Sequence, residues 1–151
     1  GTQEDSVIFY TDKVKEFARA TRQPKYYYFA WAHRLITYYL KTGRPNLALY
    51  EAQKMLKEAQ DEDDKTGLSR CYNIMSQIYT VKRLDGMACE WRLKEIELTG
   101  KYKLENYNIS QTYTQIANYY INQDKPEEAL EALEKSIETA NSPIQKTTAK
   151  L

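Results

Sequence analysis

Three times along this 151-residue chain a tyrosine is followed nine residues later by an alanine: Tyr39 and Ala48, Tyr79 and Ala88, Tyr120 and Ala129. The three tyrosines stand 40 and 41 residues apart. A unit copied at that interval belongs to a stacked repeat rather than to one globular core, because each copy completes its burial only against a neighbour. Inside each unit the period is helical. Tyr72, Met75, Ser76 and Tyr79 fall at i, i+3, i+4 and i+7, as do Tyr113, Ile116, Ala117 and Tyr120, and Ala32, Leu35, Ile36 and Tyr39.

Each stripe is followed by a break: Thr42-Gly43-Arg44-Pro45, Arg83-Leu84-Asp85-Gly86 and Gln123-Asp124-Lys125-Pro126. Pro45 and Pro126 stand where a new helix begins, at the one helical position that loses nothing with the N–H. Second helices follow, carrying Ala48, Leu49, Ala52 and Leu56, then Ala88, Cys89 and Ile96, then Ala129, Leu130, Leu133 and Ile137. The pattern predicts helical hairpins over about 25–60, 66–100 and 106–141. Their two apolar stripes face each other, and the alanines let the helix axes approach closely. The expected fold class is all-α, a right-handed α-solenoid in a single domain.

Composition agrees. Only 5 Gly and 4 Pro, with 42% hydrophobic and 28% charged residues, suit long helices and short turns. A formal net charge of +1 provides no global field toward nucleic acid or an anionic membrane. No apolar run is long enough to span a bilayer. Cys71 and Cys89 are read as small buried hydrophobes, since two isolated cysteines lack the paired spacing of a zinc site.

The tyrosine followed nine residues later by alanine, the turn residues Gly43 and Asp124, and the apolar residue eight beyond each alanine resemble the tetratricopeptide repeat over roughly residues 29 to 141. The tryptophan usual early in the first helix is replaced by Ala32, Tyr72 and Tyr113. The 40-residue period exceeds that family's 34, so longer helices or connections are expected. The resemblance implies a non-catalytic module that binds a protein or an extended peptide on its first helices. The long period and Tyr-rich helices further resemble input regions of bacterial sensor kinases or regulators, and so an extracytoplasmic part of a membrane-anchored protein. A cytoplasmic peptide-responsive regulator and a scaffold that self-associates through its end repeats are the other expectations.

No catalytic signature competes with binding. His33 is the only histidine, and neither a Gly-rich phosphate loop nor a nucleophile-elbow pattern is present. No cofactor or metal is expected. The side chains beside the buried stripes are the expected groove: Ala30, His33, Arg34 and Thr37, then Arg70, Asn73 and Gln77, then Gln111, Thr114, Asn118 and Asn122. Amides offer a donor and an acceptor together, the complement of a peptide backbone. The basic clamp with which some tetratricopeptide proteins hold chaperone tails is not reproduced, since His33, Thr37, Asn73, Gln111 and Gln115 occupy its places.

The paired tyrosines Tyr38-Tyr39 and Tyr119-Tyr120, and the run Tyr26-Tyr27-Tyr28, are read as core and inter-repeat packing. Both ends are read as cut through repeats of a longer protein. Val7, Tyr10, Val14 and Phe17 form the stripe of a second helix within a partial repeat at 5–22. Ser142-Pro143 opens a further helix over 143–151.

Overall fold

The computed structural model describes residues 2–141, with side chains described over 5–141. The expected helix over 143–151 lies outside them. The order is α1 (Thr2–Ala20), α2 (Pro24–Arg34) running on as a π-helical segment (Leu35–Leu40), α3 (Pro45–Asp61), α4 (Lys65–Val81), α5 (Asp85–Lys101), α6 (Ile109–Asn122) and α7 (Pro126–Ala140). No strand occurs among the described residues. None of these helices is long and apolar enough to cross a membrane.

One backbone device ends six helices in succession. Arg22, Gly43, Asp63, Arg83, Lys103 and Asp124 adopt left-handed backbone with φ between 52° and 73°. Beyond each, the next N–H reaches back to the carbonyl five residues earlier: Gln23 to Ala18, Arg44 to Tyr39, Asp64 to Ala59, Leu84 to Tyr79, Leu104 to Thr99 and Lys125 to Tyr120, at 2.8–3.0 Å. This is the Schellman closure, which satisfies carbonyls that the helix end would orphan. The accepting carbonyls alternate in kind. Tyr39, Tyr79 and Tyr120 close one set, and the buried small residues Ala18, Ala59 and Thr99 close the other. Successive caps lie 20 or 21 residues apart, so the 40-residue period divides into two helices of unlike type. By the accepting carbonyl of Ala18, α1 falls in the set of α3 and α5.

New helices start at once after most caps. Gln23, Arg44 and Lys125 precede prolines and are held away from helical backbone, with ψ of 74°, 58° and 76°. Asp64 has no proline after it and instead accepts the Gly67 N–H at 2.9 Å.

The chain divides into two compact units between Leu84 and Asp85, which is also the boundary between α4 and α5 of the expected middle hairpin. In the first unit α2 packs on α1 and α4, and α3 packs on α4 and the π-helical segment. Ala48, Ala52, Met55 and Ala59 form a fully buried stripe on α3, and Tyr28, Leu35, Cys71 and Ile74 are as deeply buried on its neighbours. Each such large side chain is worth about 1.5–3 kcal/mol of burial. In the second unit α6 packs on α5 and α7, around Cys89, Ile116, Ala117 and Ala132, with Ile96, Tyr113, Tyr119 and Tyr120 against them.

Three expectations about packing are corrected. On α7 the buried residues are Ala129, Ala132 and Ser136, whereas Leu130, Leu133 and Ile137 are exposed, Ile137 by 64%. The small-residue face turns inward because it allows α6 close. On α1 the stripe likewise faces outward, Tyr10, Val14 and Phe17 being exposed while Thr11 and Ala18 are buried. Tyr26, expected in the core, is also exposed, while Tyr27 and Tyr28 are buried. Both cysteines are buried free thiols, as read.

Candidate functional site

The first unit contains a polar layer that the sequence does not announce. Glu51 and Glu58 on α3 and Glu62 at its C-cap recur at i, i+7 and i+11, on one side of the helix. Glu51 accepts from Trp31 Nε1 at 3.2 Å, Arg34 at 3.4 Å and the Tyr39 hydroxyl at 3.5 Å. Tyr27 donates to Glu58 at 2.5 Å and Tyr28 to Glu62 at 3.2 Å. From α1, Arg19 bridges Glu62 and Glu58, and the Lys15 ammonium lies 3.8 Å from the Trp31 ring centre. Burial holds Lys15 below its ordinary pKa, and the Arg34 charge adds to the effect. Burial, then Glu58, pushes the Tyr27 hydroxyl up to about 12.

Arg34 therefore belongs to this layer rather than to a groove. Its guanidinium donates to Asp12 at 2.8 Å as well as to Glu51, and its side chain is 18% exposed. Ala30 is likewise buried.

His33 points elsewhere. Its ring is exposed and lies parallel to that of Phe29, with centroids 6.5 Å apart. Both line a cleft of about 340 Å³ between α1 and α2, whose other walls are Ser6, Val7, Tyr10, Thr11, Val14 and Ala30. The Arg70 guanidinium of α4 sits over the same Phe29 ring at 5.2 Å. Phe29 thus joins His33 to Arg70, two of the expected groove residues. On α4 one turn further, Gln77 donates to Asn73 at 2.7 Å, and both are half-buried. Thr37 is half-buried and donates to the His33 carbonyl.

In the second unit Gln111, Asn118 and Asn122 are exposed on α6. Thr114 is exposed as well, with its hydroxyl engaged on α7. Its hydroxyl is 2.8 Å from Ser136 Oγ, in a seam where Ser110 and Ser136 bond α6 to α7. Gln115 is exposed and completes a row at i, i+4, i+7 and i+11 with Gln111, Asn118 and Asn122. The sequence signal for it was the helical spacing itself, read one position too early at Thr114. Phe29, Tyr10 and Val14 were missed as site residues because apolar side chains at helical spacing are ordinarily core.

Among the described residues no group of three or more His, Cys, Asp or Glu side chains is placed to hold a metal ion. Comparison with known protein families, with curated proteins and with solved structures finds no match.

Proposed function

We propose that this chain is a tetratricopeptide-like repeat module, a right-handed solenoid of helical hairpins, that binds an extended peptide or partner protein and catalyses no reaction itself. The observation that carries this reading is the sixfold recurrence of one helix cap at a half-period of 20 or 21 residues, closing alternately on Tyr and on a small residue. A chain that alternates two helix types at a fixed pitch builds an extended surface, and such surfaces serve binding. The helices that close on tyrosine carry the amide-rich positions: Asn73 and Gln77 on α4, and Gln111, Gln115, Asn118 and Asn122 on α6. His33 and Arg70, each against the Phe29 ring, add basic side chains to this set. The long period and Tyr-rich helices favour the input region of a bacterial signalling protein as the setting.

Selection of peptides from a displayed random library on the immobilised chain, followed by fluorescence anisotropy of the enriched peptides, tests this. The variant Asn73→Ala/Gln77→Ala is expected to weaken binding about tenfold, the equivalent of one to two neutral hydrogen bonds. Failure to enrich any peptide over a coated control, or unchanged affinity for the double variant, rejects the reading.

A further inference from the structure

The geometry points to the α1/α2 cleft as a binding site for a small amphiphilic carboxylate, with its apolar body between Tyr10, Val14 and Phe29 and its carboxylate on Arg70. At about 340 Å³ the cleft falls within the size of sites that take small molecules. Its walls are mainly apolar, and the Thr11 hydroxyl is already spent on the Val7 carbonyl at 2.8 Å. Apolar walls alone would accept any greasy body; the surrounding charge selects among them.

Among the described residues no acidic side chain lines the cleft. Asp12, next to Thr11 in the chain, is engaged by Arg34. The arginines of the neighbouring polar layer are each neutralised by two carboxylates, Arg19 by Glu58 and Glu62, Arg34 by Asp12 and Glu51. Arg70 differs, since no carboxylate of the described residues pairs with it and its guanidinium lies over the Phe29 ring instead. A guanidinium over an aromatic face keeps its in-plane N–H donors, which match a carboxylate two to two. Arg70 is not itself a wall of the cleft, but Phe29 is at once such a wall and the platform under Arg70, and this shared ring is what links the apolar body to the anionic head. His33, parallel to Phe29, places a polar ring in the lining.

Octanoate, octanol and octylammonium share one apolar body and differ in the head. Titrated into the isotope-labelled full chain, octanoate is expected to bind saturably and to shift the amide signals of Tyr10, Val14, Phe29 and His33. Octylammonium binds at least about tenfold more weakly. Arg70→Gln brings octanoate down to the affinity of octanol and leaves octanol unchanged, while Val14→Asp abolishes octanoate binding in a protein of native circular dichroism. No saturable octanoate binding, equal affinity for the two charged probes, or an Arg70→Gln variant that binds octanoate normally overturns the proposal. His33 and Arg70 belong to both proposals, so peptide binding is read separately by the Asn73→Ala/Gln77→Ala variant, which changes no residue of the cleft lining.

Discussion

Gly67 and Tyr28 meet closely enough that one methyl group decides the outcome. A Cβ on Gly67 would stand 2.7 Å from two ring carbons of Tyr28, and that ring is 1% exposed with its hydroxyl bonded to Glu62. Alanine would gain about 1 kcal/mol of helix propensity. Overpacking against a pinned ring costs about 1–3 kcal/mol, so Gly67→Ala is expected to lower the urea midpoint, and a midpoint that rises contradicts the packing. Cys71 provides a second test at this scale. Burial, aided by Asp64 and Glu58, pushes its thiol from an ordinary value of 9.0 up to about 12. The unfolded chain sheds this proton first, so the contribution to stability is complete below about pH 9 and is lost as pH climbs toward 12. Tyr27 and Tyr28 are raised in the same sense. Urea midpoints measured across that window should fall, and fall less steeply in Cys71→Ala; identical slopes would contradict the burial of a protonated thiol.

At the scale of the element the caps are the most informative feature, and the least legible beforehand. Gly43 and the prolines after Arg44 and Lys125 mark their turns in the sequence, but Arg22, Asp63, Arg83, Lys103 and Asp124 adopt left-handed backbone without being glycine. That conformation costs a non-glycine residue about 1–2 kcal/mol, a sum that tertiary packing absorbs without leaving a residue signature. Arg83→Gly and Lys103→Gly are each expected to raise stability by about 0.5–1 kcal/mol, and Gly43→Ala to lower it by about 1 kcal/mol, as read by thermal unfolding. Glycine substitutions that destabilise would show that the caps are not formed.

The same limit governs which face of α7 turns inward. Its leucines and its alanines both recur at helical spacing, and only the close approach of α6 through Ser110, Thr114 and Ser136 selects the small face. Ile137→Gln should therefore stay within about 0.5 kcal/mol of the parent, whereas Ala132→Leu should lose about 1–3 kcal/mol. The polar layer was illegible for another reason. Glu51, Glu58 and Glu62 look like a solvated face until the hydroxyls of Tyr27, Tyr28 and Tyr39 and the arginines of α1 and α2 reach them from up to 43 residues away. Arg34 is drawn into that layer and out of the expected groove by Glu51 together with Asp12 of α1.

For the whole molecule, what was legible is the all-helical fold and the spacing of three helix ends, since Tyr39, Tyr79 and Tyr120 accept the same closing bond. Of the expected groove residues, His33, Arg70, Asn73, Gln77, Gln111, Asn118 and Asn122 lie at or near the surface, Thr114 is exposed with its hydroxyl bonded to α7, and Arg34 is committed to internal ion pairs. Backbone amide shift mapping of the labelled chain with a library-selected peptide tests the central claim most directly. The account predicts shifts concentrated at His33, Arg70, Asn73 and Gln77 and at Gln111, Gln115, Asn118 and Asn122, with α3 around Lys54 and Lys57 unaffected. Shifts centred instead on Leu130, Leu133 and Ile137 of α7, or on the solvent face of α3, would contradict it.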